Sequence, residues 1–179
     1  MTQNRTLSLI LPAFGAAIIA ALAQIIIPIG AVPITLQTFA VGLVAAILKP
    51  REATLAATLY LILGAIGLPV FAGGGGGLQS FFGPSAGYLL AYPFFAFVTS
   101  KLTHAGTPIW KIFVAFVLGD ALVFIGGILS LHFLGKMGWS AAVAVGLTPF
   151  IIPDLLKGLI VALVTKPVLK ALKNHSYFN

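Results

Sequence analysis

Long apolar stretches, separated by short polar or proline-containing breaks, run along almost the whole chain. An α-helix rises about 1.5 Å per residue, so about 20 apolar residues cross the hydrocarbon core of a membrane. The pattern predicts six membrane helices in a single domain covering residues 1–179. The predicted segments are Leu7 to Ile27, Thr35 to Leu48, Glu52 to Gly67, Pro84 to Lys101, Pro108 to Leu134 and Pro153 to about Leu172.

Two of these segments are short, and one further apolar stretch is left over. The second and third segments have lengths that also occur in buried or re-entrant helices. We interpret both as membrane helices because Lys49 and Arg51 lie between them. The stretch from Ser140 to Ile152 is interpreted as a helix lying over the outer end of the bundle and not as a seventh span.

The composition indicates a membrane environment. Hydrophobic residues make up 60% of the chain and charged residues only 7%, whereas soluble domains carry about 25% charged residues. Because so few charges cannot cover a water-facing surface, the chain is predicted to be an all-α integral membrane protein. Ala21-Leu22-Ala23 resembles a signal-peptidase site, but the apolar chain that follows it favours a retained first helix.

The basic residues predict the orientation of the bundle. The formal net charge is +7, but the charges lie between apolar segments, so we interpret them as topology signals and not as a nucleic-acid site. With six spans, one side receives eight basic residues: Arg5, Lys49, Arg51, Lys101, Lys111, Lys166, Lys170 and Lys173. The other side receives only Lys136. Since basic residues favour the cytoplasm, both termini are predicted to be cytoplasmic.

A charged pair near the start of the sixth segment is the first candidate for a ligand site. Asp154 and Lys157 have the spacing i, i+3, which places both side chains on one helical face. Charges inside a membrane helix are costly and are by default candidates for function. The alternative is a structural ion pair, with Lys157 reaching towards the interface. Asp120, in the fifth segment, is a candidate proton or ion site, but we favour a hydrogen bonder between helices or a protonated acid.

A glycine-rich loop follows the third segment. Residues 67–79, which we call the glycine loop, contain five consecutive glycines and the apolar residues Val70, Phe71 and Ala72. Glycine allows a backbone to approach a ligand closely and to change conformation. The loop is therefore predicted to be a lid over a pocket, and the alternative is a flexible connector. No Gly-Lys-Ser/Thr follows it, which argues against a phosphate-binding loop.

The remaining polar residues favour binding over catalysis. Gln37, at the start of the second segment, can both donate and accept hydrogen bonds. Alternatively, Thr35 opens that helix and Gln37 only faces a neighbouring helix. The chain has no cysteine, and His104 and His132 lack the spacing of metal ligands. We therefore predict no catalytic residues, no metal site and no cofactor.

Small residues form two rows on the first helix. One row is Ala13, Ala17 and Ala21, and the second is Ala16 and Ala20. A spacing of four residues places each row on one helical face, and small faces permit close helix–helix contact in membranes. Taken alone, the rows favour packing within the bundle over contact with a partner protein.

Four longer motifs carry a more specific signal. They read Val32-Pro33-Ile34-Thr35-Leu36-Gln37, Gly67-Leu68-Pro69-Val70-Phe71-Ala72-Gly73-Gly74, Gly83-Pro84-Ser85-Ala86-Gly87-Tyr88 and Pro153-Asp154-Leu155-Leu156-Lys157. With these motifs the chain resembles, over essentially its whole length, the BioY family of biotin-specific substrate-binding subunits (S components) of energy-coupling-factor (ECF) transporters. Ser85 and Ala86 replace a Thr-Gly pair that is more common in the family.

The resemblance implies a function and a set of partners. Such proteins have six helices with both termini inside the cell and capture biotin at the extracytoplasmic side of the cell membrane. They assemble with a transmembrane coupling protein and two cytoplasmic ATPases, and the alanine rows resemble the family's surface for the coupling protein. The residues expected to bind biotin are Asp154, Lys157, Gln37, Gly73, Gly74, Val70, Phe71, Gln79 and Tyr88.

Two alternatives to biotin capture stay open at this point. The first is an S component for a different vitamin. The second is a stand-alone small-solute transporter or channel that uses Asp120 as a proton site. A membrane-embedded enzyme is not supported, because the chain has no paired acidic motif and no histidine cluster.

Overall fold

The described part of the chain is a helical bundle with one very small sheet. The structure, a computed structural model, describes residues 2–28 and 32–172, with side chains described from residue 6 onwards. Its seven α-helices are α1 Thr2–Ala23, α2 Gln37–Ile47, α3 Pro50–Ala65, α4 Ala86–Leu102, α5 Ile109–Phe133, α6 Trp139–Gly146 and α7 Ile151–Leu172. Lys173 and the side chain of Arg5, both used above to predict the orientation, lie outside the described residues.

The principal helices alternate in direction along the chain. Helices α1 and α3 begin at the same end, where Ser8 Oγ donates to Glu52 Oε1 over 2.9 Å. Helices α2 and α4 both end there, since Ser100 Oγ donates to the Leu48 carbonyl. We call the opposite end, where the glycine loop lies, the loop end. Helix α4 packs on α2, α3 and α5, while α7 packs on α2 and α5.

Glycines allow a large aromatic side chain to fill the centre of the bundle. The Phe116 ring of α5 lies against Gly42 of α2 and Gly158 of α7, where an added Cβ would be 2.4 Å and 2.7 Å away. Phe95 of α4 meets the same ring edge-on at 5.2 Å between centroids. Because apolar burial gives little net gain inside a lipid bilayer, such close packing is a main source of stability for membrane helices.

Apolar side chains also cover the outer surface of the bundle. Phe94, Leu118, Ile125 and Ile160 are each about half exposed or more. By length and composition, Thr6–Ala23 of α1 and all of α5 can cross a membrane, and α6 with α7, bent by 43°, can form a third span. Helices α2, α3 and α4 have 11, 16 and 17 residues, so the six-span topology stays a prediction.

The ends of two predicted helices were wrong. Helix α1 ends at Ala23 and not at Ile27, because the next residues form β1, Ile26–Ile27. This strand pairs antiparallel with β2, Ile34–Thr35, so the second helix begins at Gln37 and not at Thr35. A strand of apolar residues next to an apolar helix leaves no break in the hydropathy pattern.

The stretch between α5 and α7 contains a short helix, as predicted. It spans Trp139–Gly146, so it begins one residue before and ends six residues before the expected Ser140 to Ile152. Helix α7 then begins at Ile151, two residues before Pro153, because proline is tolerated in the first turn of a helix.

Candidate functional site

A cavity of about 270 Å³ lies among α2, α4, α5 and α7 at the loop end. Its walls are mainly apolar, with Leu89, Val123 and Phe150 among them. Phe71, Ala72 and Gly75 of the glycine loop also line it. Small-ligand sites typically combine such apolar walls with a few polar anchors.

The polar anchors centre on a three-residue cluster that joins α2 to α7. Asp154 and Lys157 are only 4% and 7% exposed, and the Lys157 ammonium forms an ion pair with Asp154 Oδ1. The hydroxyl of Thr38 accepts from Lys157 Nζ over 3.0 Å and donates to Asp154 Oδ1 over 3.2 Å. Both charged groups line the cavity, so the cluster can offer a ligand a carboxylate acceptor and an ammonium donor.

Gln37 lines the same cavity but is also held by its neighbours. Its amide Nε2 donates to the Tyr60 hydroxyl over 2.5 Å, and its Oε1 accepts from the Thr35 hydroxyl over 3.1 Å. The backbone N–H of Gln37 donates to the same Thr35 hydroxyl, also over 3.1 Å. These bonds fix the orientation of the amide at the start of α2.

Two tyrosines of α4 face the cavity one helical turn apart. The Tyr88 hydroxyl donates to the Gly146 carbonyl over 2.7 Å, which attaches the end of α6 to α4. Tyr92 also lines the cavity, and within residues 2–28 and 32–172 its hydroxyl has no hydrogen-bond partner. A phenol in this position can donate to or accept from a ligand.

The glycine loop is anchored over the cavity by Phe71. The ring is 4% exposed and occupies the space beside Gly64 of α3, where an added Cβ would lie 2.0 Å from the ring. Tyr60 and Phe81 meet it edge-on, at centroid distances of 5.4 Å and 5.7 Å. Phe71 therefore forms a wall of the cavity and an attachment point of the loop.

A second attachment comes from the chain that follows α1. The amide nitrogen of Gln24 lies 3.3 Å from the carbonyl oxygens of both Val70 and Phe71. Gln24 also donates to the Ala20 carbonyl of α1 over 3.0 Å. This side chain links the end of α1 directly to the backbone of the glycine loop.

The structure brings five of the nine residues predicted to bind ligand to the cavity wall. They are Asp154, Lys157, Gln37, Phe71 and Tyr88. Val70, Gly73, Gly74 and Gln79 are not among the residues that line this cavity, and their contact with a ligand stays a prediction. Gly73 and Gly74 adopt positive φ angles of 65° and 79° in an exposed turn, and Gln79 donates to the Gly76 carbonyl of its own loop over 2.6 Å.

Sequence reasoning missed several lining residues that offer polar groups, among them Thr38 and Tyr92. Thr38 is separated from Asp154 by 116 positions, so no local pattern joins the two. Tyr92 could have been found, because it lies four residues after Tyr88 and therefore on the same helical face.

The two alanine rows of α1 lie in different surroundings. Ala13, Ala17 and Ala21 are exposed on the surface of the bundle. Ala16 is fully buried and Ala20 is half-buried, so the second row packs mainly against the bundle. Contact of either row with a partner protein stays a prediction.

Comparisons with known proteins agree with this geometry. The chain matches the model of the BioY family over residues 1–174. It is 42% identical over 182 residues to the biotin transporter BioY2 of Lactococcus lactis subsp. cremoris, covering 99% of both chains. It is 39% identical over 142 residues to the biotin transporter BioY of Thermotoga maritima, covering 79% of this chain and 83% of the other.

A solved structure has the same fold. The crystal structure of the S-component for biotin from an ECF-type ABC transporter superposes with a TM-score of 0.88 at 29% identity. The match covers 100% of this chain and 99% of the other. On the family match, the full-length relatives and the shared fold, the chain belongs to the BioY family.

Proposed function

We propose that this chain captures biotin as the substrate-binding subunit of an ECF-type importer. The observation that carries the proposal is the buried Thr38–Asp154–Lys157 cluster, which lines an apolar cavity closed in part by Phe71. The relatives at 42% and 39% identity are named biotin transporters, and the solved neighbour is an S-component for biotin.

The cavity matches the chemistry of biotin, which has an apolar bicycle, a polar ureido group and a carboxylate tail. The carboxylate of Asp154 can accept from ureido N–H groups, and the ammonium of Lys157 can donate to the ureido oxygen or to the carboxylate. Phe71 and Tyr88 supply rings against which the bicycle packs. Few donors and acceptors in an apolar setting give both affinity and selectivity.

The proposed topology has six spans with both termini in the cytoplasm. The excess of basic residues on one side supports this orientation, and the alternating helix directions support an extracytoplasmic position for the cavity at the opposite end. Lys101 and Lys111 lie at the end of the bundle away from the cavity, on α4 and α5. In this arrangement the chain is a multi-pass protein of the cell membrane, and biotin enters the cavity from outside the cell.

The proposed partners are a transmembrane coupling protein and two cytoplasmic ATPases. The exposed row of Ala13, Ala17 and Ala21 supports a contact with the coupling protein, because small residues let a second helix approach closely. Energy for uptake then comes from ATP hydrolysis by the partners.

Uptake of labelled biotin by cells that lack other biotin transporters tests this proposal. Cells that produce the chain together with its coupling protein and ATPases should accumulate biotin, and cells producing the Lys157→Met variant with the same partners should not. Uptake of another vitamin without uptake of biotin would contradict the biotin assignment. Externally accessible labels at both termini would contradict the topology separately.

A further inference from the structure

A second cavity lies between α5 and α7 and shares a wall with the ligand cavity. Its volume is about 140 Å³, and two of its lining residues, Asp120 and Asp154, carry carboxyl groups. Its other lining residues are apolar: Val117, Ala121, Phe124, Ile151 and Leu155. Phe124 and Asp154 line both cavities. The proposed capture of biotin assigns no role to this space.

Asp120 is buried in this cavity without a partner. The residue is 5% exposed, and no residue that the structure describes makes a hydrogen bond to its fully buried Oδ1. Asp154 differs, because it is bonded to both Lys157 and Thr38. An ionised carboxylate without a partner is costly in such surroundings, and more so inside a membrane.

The charges around Asp120 do not balance. Helix α5 packs against α2, α4, α6 and α7. The titratable groups that interact electrostatically with Asp120 are Asp154 and Lys157 of α7 and Tyr92 of α4. Helices α2 and α6 contain no titratable side chain. Since Lys157 is already paired with Asp154, ionised Asp120 would leave one negative charge uncompensated.

We propose that the α5–α7 cavity is a proton-binding site. The proton resides on the carboxyl group of Asp120, and water in the cavity connects that group to Asp154. A water molecule occupies roughly 30 Å³ in the liquid, so the cavity has room for a short chain of waters between the two carboxyl groups. A hard metal cation takes about six or more oxygen ligands. Because five of the seven lining residues here are apolar, the cavity suits a proton better than a metal cation.

The proton has a consequence for ligand binding. When Asp120 is neutral, the ammonium of Lys157 compensates only the carboxylate of Asp154. Both groups then stay charged in the cavity where the ligand binds. With Asp120 ionised, two carboxylates compete for one ammonium. This consequence rests on the proposed biotin site, whereas the proton on Asp120 does not.

Infrared spectroscopy of the full chain in a detergent that has no carbonyl group tests the proton directly. The chain has only three acidic side chains, Glu52, Asp120 and Asp154, so a carboxylic-acid C=O band at pH 7 has three possible sources. An aspartate in water is ionised at that pH. We expect one such band in the parent protein and its complete loss in Asp120→Asn. Two matched controls should retain it: Glu52→Gln, and the double variant Asp154→Asn/Lys157→Met, which removes both charges of the ion pair.

The controls keep the test decisive even if Asp120→Asn fails to fold. A band at the same frequency in both control variants then belongs to Asp120, because Asp120 is the one acidic side chain that both variants retain. Transfer to heavy water should shift the band, since water reaches the proton in the proposed cavity. The proposal is overturned if the parent shows no acid band at pH 7, if the band disappears in Glu52→Gln or in the double variant Asp154→Asn/Lys157→Met, or if heavy water leaves it unshifted. Specific stabilisation by sodium over potassium, without an acid band, would identify a cation site and also overturn it.

Discussion

Replacing Lys157 with methionine removes one charge from the ligand cavity and keeps most of the apolar stem of the side chain. In the folded chain this ammonium contacts Asp154 Oδ1 and the hydroxyl of Thr38. If Lys157 also donates to the ligand, the substitution removes that hydrogen bond and leaves the cavity walls unchanged. The complementary change, Asp154→Asn, keeps the shape of the side chain and removes the charged acceptor.

The size of the effect follows from the burial of the pair. A hydrogen bond to a charged group contributes about 1.5–3 kcal/mol, which corresponds to roughly 10- to 150-fold in affinity. Removing one partner of a buried ion pair costs about 3–5 kcal/mol of stability, and a proton on the remaining Asp154 reduces that cost. Each single variant should therefore lose affinity and unfold at a lower temperature, and the double variant should recover most of the stability.

The assay is a double-mutant cycle on the purified protein, read as biotin affinity and as thermal unfolding in detergent. The matched control is Lys111→Met, which removes the same charge from an exposed side chain at the other end of the bundle, beside Trp110. This control should bind biotin like the parent. A double variant of Asp154 and Lys157 that folds normally but does not bind biotin would support contact with the ligand.

Normal biotin binding by the double variant would exclude contact between the ion pair and the ligand. If the double variant binds biotin with the affinity of the parent, the pair is a structural ion pair and neither residue contacts the ligand. Thr38→Val separates the roles further, because it removes both hydroxyl contacts while retaining the shape of the side chain. We expect a smaller loss of affinity for this variant than for Lys157→Met.

Three further predictions concern the loop and the surface of α1. Gly64→Ala should speed biotin dissociation in stopped-flow measurements, because the new methyl group occupies the position of the Phe71 ring; unchanged dissociation would show that the ring does not close the site. Gln24→Leu should loosen the glycine loop and raise its hydrogen exchange, and exchange equal to that of the parent would exclude an anchoring role. Ala17→Phe should retain biotin binding but prevent co-purification with the coupling protein. The control Val114→Phe, at an exposed site on α5, should retain both biotin binding and co-purification. Co-purification of Ala17→Phe would show that the coupling protein binds elsewhere.

The number and order of the main helices could be predicted from sequence because each is a local pattern. Proline and charged residues separate the apolar stretches, as at Pro50 and Pro108, which lie at the starts of α3 and α5. The ends were harder to predict, because β1 follows α1 with only two residues between them. Hydropathy does not distinguish an apolar strand from the last turn of an apolar helix.

The site was predictable only where its residues are close in sequence. Asp154 and Lys157 were found together because three positions on one helix separate them. The contact of Thr38 with that pair and the contact of Phe71 with Gly64 depend on how different elements pack. No spacing rule connects them. The same limit applies to the glycine loop, in which Gly73 and Gly74 lie in an exposed turn while Phe71 faces the cavity.

Equilibrium binding of labelled biotin to the purified chain, without its partners, is the most direct test of biotin capture by this chain. We expect one saturable site per chain, competition by unlabelled biotin, and no competition by unrelated vitamins such as thiamine or riboflavin. Lys157→Met should weaken binding and Lys111→Met should not. Absence of saturable biotin binding to folded protein, or equal competition by an unrelated vitamin, would contradict the proposal that this chain captures biotin.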